Sequence, residues 1–303
     1  MAVKTVQAII NGATTTLTYN SSTGKWEATI TAPPTSSYNN NAGHYFPVTI
    51  KATDKAGNVT TKNDTDATLG SSLQLRVKEK TAPAITITYP TASALIVNNK
   101  PVVRWKVTDN DSGVNPDSIK ITIDTGAAIT AGIVKTPITG GYDCTYTPTA
   151  ALADGSHTIK VDASDNDGNA ATQKAVTFKI DTVPPTLNVT APVNGLITNK
   201  AACTVTGTTN DITSSPVSVT IKLNSGTADA VPVGADGSFS KALTLAAGSN
   251  TITVVATDSA GKSTTVIRTV TLDTVAPTIR AVTLTPNPVD AGKTYVISVE
   301  VTD

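Results

Sequence analysis

Ile159-Lys160-Val161-Asp162-Ala163-Ser164-Asp165-Asn166-Asp167-Gly168-Asn169 is the stretch that decides the fold. Ile159, Val161 and Ala163 alternate with polar residues, the period of a half-buried β-strand. The strand then runs into a short turn whose glycine can take a positive φ cheaply. The same text occurs twice more. Ile50-Lys51-Ala52-Thr53-Asp54 leads into Gly57-Asn58, and Val254-Val255-Ala256-Thr257-Asp258 leads into Gly261-Lys262. A strand-turn unit repeated along a chain implies one supersecondary unit used several times, and each copy predicts a β-hairpin.

A second repeated text closes each unit. Glu79-Lys80-Thr81-Ala82-Pro83, Asp181-Thr182-Val183-Pro184-Pro185 and Asp273-Thr274-Val275-Ala276-Pro277 each leave one strand and enter another. Proline has a fixed φ and no N–H, so these segments read as stiff linkers rather than central strands. Their spacing, near a hundred residues, is that of a seven-stranded immunoglobulin-like sandwich. The rest of the composition agrees. Threonine supplies 56 of 303 residues, with 20 glycines, 17 prolines and only 4% aromatics. β-Branched residues punctuated by Gly and Pro predict an all-β chain rich in turns.

Charge excludes whole classes of function. The chain has 23 Lys+Arg against 23 Asp+Glu, for a formal net charge of zero. Phosphate recognition needs clustered basic side chains, so no nucleic-acid partner is expected. Apolar runs are only a few residues long, so no membrane insertion is expected, and no signal-peptide pattern follows Met1. Cys144 and Cys203 stand in different repeats and read as buried small side chains rather than a disulfide or a zinc site. His44, next to Gly43, and His157, two residues after Gly155, read as solvated turn residues. No nucleophile motif accompanies them, and no catalytic residue is expected. Trp26 and Trp105 lie on alternating apolar faces and read as core.

Asn99-Lys100-Pro101, the strand around Trp105, Ser112-Gly113-Val114-Asn115-Pro116, the Thr-Ala/Val-Pro linkers and the Asp-x-x-Gly-Asn hairpins together resemble tandem bacterial Ig-like domains. The resemblance covers the whole chain. It implies all-β, immunoglobulin-like β-sandwiches of the kind found in phage tail and other virion proteins, in bacterial adhesins, and in multimodular carbohydrate-active surface enzymes. This fold hosts many roles.

Aligning the repeats gives the expected domains: 1–82, 83–184, 185–276 and 277–303. Ile119, Ile121 and Ile123 form strand C of the second, and Val219, Ile221 and Leu223 that of the third. Val6, Ala8 and Ile10 take the same place in the first, so 1–82 carries strands C–G without A and B. The first and third modules then align without a gap to Gly24-Lys25-Trp26 and Gly237-Ser238-Phe239. Residues 277–303 hold the complement. Ile297, Val299 and Val301 match strand B of the second module, so this piece is strands A and B alone. Two strands cannot build a core. The economical expectation is exchange: Ile297, Val299 and Val301 of one copy are the donor strand, and Val6, Ala8 and Ile10 of the next are the acceptor. The product is a homo-oligomer or filament. A chain continuing beyond these residues, or completion by a different protein, would satisfy the same pattern.

No cofactor is expected. Calcium has one candidate, Asp165 with Asp167, whose local density of carboxylates suits an oxygen-binding ion but lacks the full loop pattern, and which Asx turns also explain. The function expected is a non-enzymatic structural or adhesive component of a phage or phage-like particle, a tail or fibre part located in the virion. Its partners would be other virion structural proteins and a host cell-surface glycan. The alternative is the stalk or spacer of an exported bacterial surface protein.

Overall fold

The computed structural model describes residues 2–303 and is nearly all β, with 24 strands. The chain divides into two compact units, Met1–Ile180 and Asp181–Asp303. Among the described residues no helix is long and apolar enough to cross a membrane.

The first unit opens with β1 (Val3–Ile10), β2 (Ala13–Asn20), β3 (Lys25–Glu27), β4 (Phe46–Asp54), β5 (Val59–Lys62) and β6 (Gln74–Leu75). They form one sheet in the order β3-β2-β1-β4-β5, with β6 on β4. It continues with β7 (Ala84–Tyr89), β8 (Leu95–Ile96), β9 (Val103–Thr108), β10 (Lys120–Ile123), β11 (Val134–Ile138), β12 (Gly141–Tyr146), β13 (Gly155–Asp162) and β14 (Lys174–Ile180). These make two sheets, β11-β12-β9-β7 and β10-β13-β14-β8. In sandwich terms β7 and β9 are strands A and B, β10 is C, β11 and β12 are D and E, and β13 and β14 are F and G. Both sheets point their alternate residues into one core, which holds Trp105, Cys144, Ile121, Ile159 and Phe178, all fully buried. Burying each large apolar side chain contributes about 1.5–3 kcal/mol.

The second unit repeats this plan. β15 (Thr186–Ala191), β17 (Ala202–Asn210) and β20 (Ser238–Thr244) form one sheet. β16 (Leu196–Thr198), β22 (Ser263–Leu272), β21 (Gly248–Thr257), β18 (Ser218–Leu223) and β19 (Ala228–Val231) form the other. Val205, Val219, Ile221, Ile252, Val254 and Val270 fill its core. Among the described residues β23 (Thr278–Thr285) and β24 (Val296–Thr302) pair only with each other.

The strands β1, β10 and β18 end alike. Asn11, Asp124 and Asn224 follow β1, β10 and β18 with φ of 46°, 54° and 53°. This left-handed region is costly for most residues and is visited by Asn and Asp, whose short side chains bond locally. Asp124 Oδ1 and Asn224 Oδ1 accept the amides of Thr158 and Thr251, each at 2.7 Å, and so tie strand C to strand F.

Three side chains sit differently from their sequence reading, one being Cys203, which is only partly buried against its core. His157 is not in a solvated turn but inside β13, buried on the core side with Ile159 and Val161. Trp26, on the edge strand β3, is only partly buried and rests on Tyr19 with ring centroids 5.7 Å apart. Trp105 is fully buried, as are both sides of the Trp105–Cys144 pair, and both cysteines are free.

Candidate functional site

The residues expected to act in assembly lie on two pieces of sheet. β24 carries Ile297, Val299 and Val301, and all three are about half exposed. Ile279, Val282 and Leu284 on β23 are exposed as well, so the hairpin leaves a row of apolar side chains in water. Its register matches those of the β7–β9 and β15–β17 pairs. Thr278 faces Thr302 as Ala84 faces Thr108 and Thr186 faces Asn210, each beginning one residue past a linker proline.

On the other piece, Val6 and Ala8 are buried in β1 and Ile10 is partly buried. β1 is an interior strand, hydrogen-bonded to β2 on one edge and β4 on the other, so it offers a face and no edge. Ala8 and Ile10, with Ala13, Ile30, Ala32 and Pro33, line an apolar groove of about 240 Å³ on that face. The edge lies elsewhere. Gly24 and Gly237 both turn the chain with positive φ, at 69° and 79°. After Gly237, β20 runs seven residues paired to β17. After Gly24, β3 runs three residues paired to β2, and residues 28–33 belong to no strand. Among the described residues no strand pairs with the outer edge of β3.

The structure also gathers carboxylates, and sequence reasoning found only part of this. Asp165 joins Glu79 of the linker and Asp109 at the end of β9, with ligand-capable oxygens all within 4.8 Å of one another. Asp167, the other calcium candidate, is outside this cluster. Its Oδ2 accepts the amide of Glu79 at 3.0 Å, and its carbonyl accepts from Lys78 Nζ at 3.1 Å, fixing the linker. Glu79 Oε1 accepts the amide of Ser112 at 2.7 Å. Burial pushes the Glu79 carboxyl up from the usual range, opposed by its bonds from Ser112 and reinforced by the charges of Asp109 and Asp111.

The second unit repeats the cluster at equivalent places. Asp181 of the linker, Asp211 after β17 and Asp258 after β21 are all buried, with ligand-capable oxygens within 4.8 Å of one another. One oxygen of each is held by backbone: Asp181 Oδ1 by Val183 N, Asp211 Oδ1 by Thr213 N and Ser214 N, and Asp258 Oδ1 by Lys262 N. The signal was present in the sequence, since all three sit at repeated positions. It was missed because a local window cannot see that strand ends B and F and a linker meet at one pole of a sandwich.

Residues 92–182 match the family described as bacterial Ig-like domain, and residues 185–274 match glucodextranase domain B. No curated protein matches the chain. Solved structures similar to it include the fibronectin(III)-like modules of Clostridium thermocellum CbhA, 18% identical over 62% of this chain and 94% of that one, with a TM-score of 0.34. Sidekick-1 immunoglobulin domains 1–4 are 11% identical over 89% and 67%, with a TM-score of 0.36. The D00-D0 domain of intimin is 13% identical over 62% and 99%, with a TM-score of 0.31. Through residues 92–182 and 185–274, the chain is a tandem of Ig-like domains.

Proposed function

We propose that the protein is a non-enzymatic structural or adhesive component of a phage or phage-like particle, and that copies join when the β23–β24 hairpin of one completes the N-terminal sheet of the next. Ig-like and fibronectin-like folds are typically scaffolds, with function set by what is grafted onto them. The observation that carries this reading is the hairpin itself: an A–B hairpin in register and in linker spacing, with its apolar row in water. Exposed apolar rows and open strand edges favour pairing with another chain.

The occupant is a second copy because the two pieces match. In the third module Gly207 of β17 faces Phe239 of β20, and Thr208 faces Ser238. Carrying that register over through the aligned linkers and glycine turns sets Val299 opposite Trp26 and Glu300 opposite Lys25. The pairing covers the Trp26 ring and brings opposite charges together, a cross-strand pair that contributes about 0.2–1 kcal/mol.

Light-scattering mass of the purified chain across a dilution series tests the reading. Multiples of 30.9 kDa are expected, and Val299→Asp should return the chain to monomer while the other modules stay folded. Lys25→Cys mixed with Glu300→Cys should form an intermolecular disulfide under mild oxidation. A wild-type chain that stays monomeric at every concentration, or a Val299→Asp chain that assembles normally, sinks the proposal.

A further inference from the structure

Asp181, Asp211 and Asp258 bring three carboxylates together at one corner of the sandwich. All three are at least nine-tenths buried, with exposures of 0%, 8% and 6%. Among the described residues none of them forms an ion pair. Like charges this close repel strongly where water is excluded.

Hydrogen bonding does not account for the arrangement. Asp181 Oδ2 and Asp258 Oδ2 are buried and have no partner. The hydroxyl of Ser214 is in the same condition. Ser214 donates its amide to Asp211 Oδ1 at 2.7 Å, and its carbonyl accepts from Ser259, next to Asp258. Buried polar atoms are nearly always paired, so several orphan oxygens in one corner call for an explanation.

The other modules show what the orphan at Asp258 means. Asp54 and Asp165 hold the same turn position. Each accepts on one oxygen from the backbone amide four residues on and on the other from the carboxamide of that residue, Asn58 or Asn169. In the third module that residue is Lys262, which supplies the amide and no carboxamide. The fold thus keeps the carboxylate and removes the side chain that would occupy it.

From this geometry we infer that Asp181, Asp211 and Asp258 form a Ca²⁺ site, with the Ser214 hydroxyl as a further oxygen donor. The ligands are all hard oxygens, the set that calcium takes, and it binds them at about 2.3–2.6 Å. Two ligands on opposite sides of such an ion stand about twice that distance apart, which matches a cluster whose oxygens lie within 4.8 Å. A bound ion would pin three separate pieces of chain: the linker entering the module, the turn after strand B and the turn after strand F. Calcium would then hold the linker end of this module shut.

Titration calorimetry of the chelator-stripped 303-residue chain with CaCl₂ tests this. Saturable binding is expected, at a dissociation constant of roughly 10⁻⁴ to 10⁻³ M or tighter, and Asp258→Asn should weaken it about tenfold by removing one ligand charge. Lys262→Asn is the second variant. It restores the carboxamide found in the other modules and should also weaken binding, without removing any carboxylate. Far-UV circular dichroism confirms that each protein retains its strands. The absence of saturable calcium heat in the folded wild-type chain would overturn the site. So would wild-type affinity in Asp258→Asn, or in Lys262→Asn if the first variant fails to fold.

Discussion

His157 shows how much a single side chain can depend on which face of a strand it occupies. It reads as a turn residue from the nearby Gly155, yet it stands two residues before Ile159 and four before Val161, on the buried side of the same alternation. Its Nδ1 lies 2.8 Å from Asp124 Oδ2, and its Nε2 lies 2.7 Å from the Ala153 carbonyl. Burial alone would lower its pKa, but the Ala153 carbonyl and the Asp124 carboxylate outweigh that and hold it above the usual imidazole value. A raised folded pKa stabilises the protein fully below the unfolded value, about 6.5, and this contribution is lost as pH rises through the folded value. We expect the His157 ring, followed by NMR, to titrate above that reference in the wild type and to move down in Asp124→Asn. Equal midpoints in the two proteins would dismiss the pairing. Strand C was legible through Ile119, Ile121 and Ile123, but the bond from Asp124, just past its end, to a histidine 33 positions on was not, since nothing local in either segment marks it.

At the level of strands, facing positions share a fixed volume in different ways. Trp105 on strand B faces Cys144 on strand E in the second module, and Gly207 faces Phe239 in the third. Large opposite small is how two strands fill one space at crystal-like density. A Cβ on Gly207 would lie 2.3 Å from the Asn188 carbonyl oxygen and 2.5 Å from the Phe239 ring. The backbone oxygen cannot give way, so Gly207→Ala should destabilise the third module by about 1–3 kcal/mol, the range for overpacking, as read by the denaturant midpoint. An unchanged midpoint would mean that strand A moves aside freely. The alternation of strands B, C and F and the proline linkers were readable in sequence because period two and fixed φ are local properties. The one-for-one size exchange was not, because partners on B and E are separated by more than thirty residues and only the register joins them. The same distance hid the carboxylate clusters, of which Asp165 was legible and Glu79, Asp211 and Asp258 were not.

Over the whole molecule, a small feature of the two sandwiches sets how they answer to tension. After its antiparallel start in one sheet, each first strand crosses over, and a short second segment pairs in parallel with the last strand. Leu95–Ile96 lies along Lys179–Ile180, and Leu196–Thr198 lies along Val270–Leu272. Pulling a module by its two ends draws these segments in opposite directions along their own axes. The bonds of the patch are then sheared together rather than opened one at a time, so resistance depends on the unfolding barrier more than on equilibrium stability. The β23–β24 hairpin has only antiparallel pairs and peels from its open end. Force spectroscopy with handles at the two termini should therefore show one high-force event for each parallel patch and a low-force extension for residues 278–302. A strong rupture peak from that hairpin would contradict this. Each complete sandwich would thus be stiff to traction along its length, while the β23–β24 hairpin would yield first.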